Sequence, residues 1–115
     1  MSENPMQPSF VLVRPQMGEN IGAAARAMWN FGLDKMRVVS PRDGWPSQKA
    51  VAMASGAGRL LDEAVQYSSV ASAVSESHYA FATTARARGL TKVIYSPNEA
   101  MFLAAQKIQA GERVS

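Results

Sequence analysis

Arg14-Pro-Gln-Met-Gly-Glu-Asn-Ile-Gly-Ala-Ala-Ala-Arg-Ala-Met-Trp-Asn-Phe-Gly32 is the stretch whose reading decides the fold. Ahead of it, Phe10-Val-Leu-Val13 is a continuous apolar run, short and β-branched, as expected of a strand buried on both faces. Pro15 breaks that run, and Gly18 permits a tight turn. From Asn20 the period changes. Ile21, Ala24, Ala25, Met28 and Trp29 fall at i, i+3, i+4, i+7 and i+8, one apolar stripe of a helix over residues 20–31. Asn20 suits its N-cap, and Gly32 stands just past its end. The other side carries Gly22, Ala23, Arg26 and Asn30. Helical side chains lean toward the N-terminus, so Arg26, roughly 9 Å along the axis from Asn20, leans back that way with Gly22 leaving it room. The helix dipole opposes a guanidinium there. Such a misfit with stability points to function; the competing reading is a solvated arginine on a helix whose small residues serve packing alone.

Outward from this stretch, strands and helices alternate. Met36-Arg-Val-Val-Ser40 reads as a second strand ended by Pro41, followed by a turn-rich loop to Pro46. Ser47 caps a helix through Ala54, which Ser55-Gly-Ala-Gly58 interrupts, and Leu60 to Ala64 allows another helical turn. Val65 to Tyr67 reads as a weak third strand, Val70 to Ser75 as a short helix, and Tyr79-Ala-Phe-Ala-Thr-Thr84 as a fourth strand. A last helix runs from Pro97 to about Gln109 and stops at Gly111. Alternation of this kind implies right-handed βαβ units: an α/β fold with a mostly parallel sheet and flanking helices. Residues 1–8 read as a loose leader and residues 9–115 as one domain. Glu112-Arg-Val-Ser115 opens what looks like a further strand and stops, so the domain is expected to be truncated there.

The totals bound the chemistry. At 115 residues with 47% hydrophobic content, the chain is long enough for one domain with a real core. Twelve basic against nine acidic residues give +3, compatible with nucleic acid without being evidence for it. The absence of cysteine excludes disulfides, zinc–thiolate sites and cysteine nucleophiles, and one histidine, His78, cannot build a multi-histidine metal site. No apolar run approaches a membrane span, and a cytoplasmic protein is expected.

In an open parallel sheet, ligands gather at the carboxyl ends of the strands. Arg14 ends the first strand, Arg26 leans toward the same edge, Arg42 follows the second strand, and Arg86 and Arg88 follow the fourth. Arginine offers a planar fork of donors, suited to phosphate oxygens. Neither a Walker-type loop nor a G-x-G-x-x-G fingerprint is present. Trp29, Trp45 and Phe31 read as core or loop anchors rather than base-stacking platforms, and His78 as a surface or packing residue.

Asn20-Ile-Gly-Ala-Ala-Ala-Arg26 with Phe31-Gly32 resembles the first motif of the SPOUT RNA methyltransferases, TrmH-like branch, and most closely the TrmJ-type tRNA ribose 2′-O-methyltransferases. Val38-Val-Ser-Pro-Arg42, Ala50-Val-Ala-Met-Ala-Ser-Gly-Ala57 and Ala82-Thr-Thr-Ala-Arg-Ala-Arg88 carry the likeness further. The resemblance implies S-adenosylmethionine as methyl donor, no metal, a homodimer, a structured RNA such as tRNA as partner, and a knotted C-terminal part. By position it makes Asn20 and Arg26 catalytic, sets Thr83, Thr84 and Ala85 along the donor, and gives Arg86 and Arg88 to the RNA or to active-site geometry; Arg14 and Arg42, from the arginine edge, are expected to meet RNA with them. The family's second and third motifs are missing, so the resemblance implies the N-terminal part of such an enzyme, inactive alone. The alternative is a non-catalytic RNA-binding α/β module.

Overall fold

In the computed structural model, which describes residues 7–83 and 94–115, β1 (Phe10–Val13), β2 (Met36–Val39) and β3 (Val65–Tyr67) form a parallel sheet in the order β1-β2-β3. Phe10 pairs with Met36 and Val13 with Val39, while Arg37 pairs with Val65 and Val39 with Tyr67. The α/β expectation is met. β2 is central, and Met36, Val38 and Val39 are buried. The half-buried Arg37 donates from Nη1 to the Ala73 carbonyl of α4 (Val70–Ala73), and its guanidinium lies 5.7 Å from the Tyr67 ring centroid.

The described chain divides into two compact units, Ser9–Glu76 and a second drawn from the remaining described residues. In the first unit the core joins Ile21, Ala25 and Met28 of α1 (Gly18–Asn30) to Met36 and Val38 of the sheet. Ala50 of α2 (Gln48–Met53), Ala54, Ala57, and Leu60 and Leu61 of α3 (Gly58–Glu63) complete it. Truncating a fully buried leucine such as Leu60 to alanine costs about 2–5 kcal/mol in cores of this kind.

α1 begins earlier than its apolar stripe implies. Met17, in extended conformation, takes the N-cap position without a side-chain cap, and the Asn20 N–H bonds the Met17 carbonyl at 3.1 Å. Asn20 therefore sits inside the first turn. Glycine opens the helix because α2 comes too close for anything larger: a Cβ on Gly18 would lie 2.5 Å from Ser47 Oγ and 3.0 Å from Lys49 Cβ. Gly22 is tighter still. Its Cβ would overlap the Ala50 carbonyl oxygen and stand 2.8 Å from Met53 Cβ. Gly22 is thus a buried contact with α2, not an opening left for Arg26, while Ala23, Arg26 and Asn30 face outward. Gly32, at φ +72°, ends the helix as expected, its N–H bonding the Trp29 carbonyl. Ser47 caps α2 by accepting from the Ala50 N–H at 3.2 Å, as expected.

The second unit holds α5 (Pro97–Gln109), opened by a reciprocal Ser96–Glu99 capping box. Ala104, Ile108, Val114 and Phe81 form its small core. The expected fourth strand reduces, among the described residues, to one parallel bridge between Tyr79 and Val114. Tyr79 and His78 N–H groups share the Arg113 carbonyl, Ser115 N–H returns to Tyr79, and Phe81 N–H to Ser115. The closing residues are therefore paired in register with residues 78–81. His78 is exposed, and its Nδ1 accepts from the Arg113 N–H at 2.8 Å.

Candidate active site

β1 and β2 end in the same way. Arg14 and Ser40 both adopt left-handed backbone, at φ +46° and +42°, and each precedes a proline. A residue before proline favours extended backbone, and left-handed geometry costs non-glycine residues on the order of 1–2 kcal/mol. Two such residues stand side by side at the carboxyl edge of neighbouring parallel strands. Hydrogen bonds hold them there: Arg14 N–H to Val39 O at 2.7 Å, Ser40 N–H to Tyr67 O at 3.0 Å, and Ser40 Oγ to Ser68 O at 3.2 Å. Strain of this kind gathers at functional sites. Pro15 and Pro41 mark the strand ends in the sequence, but the preference of a residue before proline for extended backbone hides the left-handed geometry.

The arginines expected at this edge are partly there. Arg42 N–H donates to the Pro15 carbonyl at 3.0 Å, which ties the loop after β2 to the loop after β1 and brings the Arg14 and Arg42 backbones together. Both side chains are exposed. Arg42 also grips Asp43, Nε to Oδ1 at 3.0 Å and Nη2 to Oδ2 at 3.3 Å. That hydrogen bond holds the Asp43 carboxyl below the usual carboxylate range. An anion arriving at Arg42 must compete with this pair, whereas Arg14 makes no hydrogen bond or ion pair through its side chain with the described residues.

α1 starts at this same edge. Asn20 is exposed in its first turn, and Arg26 is exposed about 9 Å further along the axis. Six residues apart, they stand about 120° apart around the helix, and no hydrogen bond joins them. Phe31 is 81% exposed and Trp29 42%, so neither is the anchor expected of it; Trp45 packs on the core. In the second unit Thr83 is exposed beyond the Tyr79–Phe81 segment, on its carboxyl side. Thr84, Ala85, Arg86 and Arg88 lie outside the described residues.

Residues 7–106 match the SpoU rRNA Methylase family. The chain belongs to that family. Among its relatives, the tRNA (cytidine/uridine/adenosine-2′-O-)-methyltransferase TrmJ of Pseudomonas aeruginosa is 35% identical over 105 residues, covering 91% of this chain and 40% of the relative. The tRNA (cytidine-2′-O-)-methyltransferase TrmJ of Methanocaldococcus jannaschii is 34% identical over 94 residues, 79% of this chain and 40% of the relative. The crystal structure of TrmJ from Zymomonas mobilis ZM4 superposes with a TM-score of 0.82 at 50% identity, covering 94% of this chain and 48% of that one. The chain thus spans about two fifths of the length of the curated relatives it matches. Within the SpoU rRNA Methylase family match lie the left-handed strand ends, the glycine contact between α1 and α2, and the exposed Arg26.

Proposed function

We propose that this chain contributes the arginine-bearing part of an S-adenosylmethionine-dependent RNA ribose 2′-O-methyltransferase, acting on tRNA or another structured RNA, as a homodimer and in the cytoplasm. The observation that carries the reading is the conjunction of family membership with an exposed Arg26 on the helix that starts at the strained carboxyl edge of β1 and β2. A ribose 2′-hydroxyl is a poor nucleophile until its proton leaves or its developing charge is stabilised. Arginine is effectively never deprotonated in proteins, which makes Arg26 a poor general base. Its role is electrostatic: a fixed cation that lowers the energy of the forming alkoxide, directly or through an adjacent phosphate. Asn20, with an amide that both donates and accepts, holds the ribose. Arg14, Arg42, Arg86 and Arg88 contact phosphates and set the register of the RNA, which is where positioning supplies much of the rate.

The donor supplies, when bound, a methyl group on a sulfonium with an excellent leaving group. In this reading Thr83, an exposed residue just past the Tyr79–Val114 bridge, would contact the donor through its hydroxyl. Thr84 and Ala85 complete the expected donor contact. No metal takes part.

The test is a chimera of this chain with the C-terminal remainder of the Pseudomonas aeruginosa TrmJ. The chimera should place a methyl on a ribose 2′-oxygen of a tRNA transcript, read by mass spectrometry of the nucleosides, while the 115-residue chain alone binds tRNA without methylating it. A folded chimera that binds tRNA and donor yet transfers no methyl would leave a non-catalytic RNA-binding module.

A further inference from the structure

The first unit has a half-open pocket of about 300 Å³ between the loop after β2 and the helices α2 and α3. Trp45, Pro46, Val51 and Leu61 supply apolar and aromatic lining, and Ser47 and Asp62 the polar groups. The volume is near the lower end of small-ligand pockets, roughly 300–1,000 Å³. Ser47 Oγ is already committed to the Ala50 N–H. Asp62 is not committed: it makes no hydrogen bond or ion pair with the described residues, whereas its neighbour Glu63 faces Arg59 at 3.9 Å and Asp43 is held by Arg42. A carboxylate without a partner among the described residues, beside an indole and an aliphatic wall, is complementary to one kind of ligand.

We propose that this pocket binds an alkyl cation, an ammonium or guanidinium on a short aliphatic stem. The stem lies along Val51, Leu61 and Pro46, as the stems of lysine and arginine do on apolar surface. The charged head meets the Asp62 carboxylate, and Trp45 adds the attraction of an indole for a cation. A neutral apolar ligand would gain nothing from the exposed Asp62 carboxylate, and an anion would be repelled by it. The site is independent of the methyltransferase reading, since none of its lining residues belongs to the arginine edge, Asn20 or Arg26. The cation has two possible sources, a free polyamine or an arginine or lysine side chain of a partner protein, and the chemistry is shared.

Trp29 and Trp45 are the two tryptophans, so Trp29→Phe leaves Trp45 fluorescence as the reporter. The 115-residue Trp29→Phe chain is titrated with n-butylguanidinium and with its neutral isostere n-butylurea. The cation should give a saturable change with a Kd on the order of 1 mM, as expected of so small a ligand. Butylurea should bind at least tenfold more weakly. Asp62→Asn, a substitution at an exposed position, should weaken the cation by about tenfold and leave the melting temperature unchanged. Spermidine and an acetylated Gly-Arg-Gly amide then separate the sources: binding of spermidine alone assigns a polyamine, and binding of the peptide assigns a protein side chain. No saturation by the cation, equal binding of butylurea, or a Kd untouched by Asp62→Asn would each overturn the proposal.

Discussion

Replacing Gly22 by alanine should destabilise the fold, and the structure gives both the sign and the scale. In an exposed helix interior the change gains about 1 kcal/mol of helix propensity. Here the added methyl overlaps the Ala50 carbonyl oxygen, lies 2.8 Å from Met53 Cβ and 3.1 Å from the Ala50 carbonyl carbon. The obstacle is backbone, so no side chain can rotate away. α1 and α2 must separate, loosening Ile21 and Ala25 against Ala50 and Ala54. Overpacking of this kind costs typically about 1–3 kcal/mol, and more where backbone itself must move. Because the obstacle is backbone the upper part of that range applies, about 2–3 kcal/mol; less the propensity gain, a net loss of about 1–2 kcal/mol is expected, a fall of roughly 4–12 °C in Tm for a domain of this size. Gly58→Ala is the control. It makes the same chemical change at the first residue of α3, in right-handed helical backbone (φ −56°), where an added Cβ meets nothing within 4 Å. That variant should be stabilised by about 0.4–1 kcal/mol. Urea and thermal melts followed by circular dichroism measure both. A Gly22→Ala chain as stable as the parent would refute the close α1–α2 contact and with it the reading of Gly18 and Gly22.

Arg14→Gly should separate stability from binding: release of left-handed strain raises stability by about 0.5–1 kcal/mol after the glycine entropy cost. The same variant should weaken RNA binding and reduce the salt slope by about 0.7, read by filter binding across a salt series. The Asp43 carboxyl, held low by its hydrogen bond from Arg42, and the Glu99 carboxyl, held low chiefly by the Ser96 N–H, contribute stability above the ordinary carboxylate range. That contribution is lost as pH falls through their depressed folded values; carbon-detected NMR titration should show both midpoints low, with Arg42→Ala restoring Asp43 alone. Ser96→Ala removes the side-chain half of the capping box of α5 at a cost of about 1 kcal/mol and should leave Glu99 low, because the residue-96 N–H that chiefly holds its carboxylate remains.

The apolar periods made the alternation of elements legible: Ile21, Ala25 and Met28 face the core, and Phe10–Val13 and Met36–Val39 pair in parallel. For Gly22 a helical wheel shows only which face is small, and the path of α2 shows what approaches it. Asn20 carries a strong capping side chain, yet Met17, a residue with no such signal, takes the N-cap position. Tyr79–Thr84 carries strand-like residues, yet pairing is set by partners distant in sequence, and here the described partner is Val114. The left-handed Arg14 and Ser40 run against their own local preference, so no propensity argument could find them. Phe31 and Trp29 look like core residues by type alone; their exposure is a tertiary fact.

We propose that Arg26 stabilises charge in the reaction rather than holding the RNA or the fold. Single-turnover methyl transfer by the TrmJ chimera, with RNA affinity and Tm measured on the same samples, tests it directly. Arg26→Ala should slow transfer on the order of a hundred- to a thousand-fold, as loss of one preorganised oxyanion donor does. Tm should stay unchanged, since Arg26 is an exposed helix residue, and tRNA affinity should fall by less than about tenfold, the loss of one exposed charge. Arg26→Lys keeps the charge without the fork and should recover little. A folded Arg26→Ala chimera that methylates at the parent rate, or one whose rate loss is matched by its loss of tRNA affinity, would remove Arg26 from the chemistry.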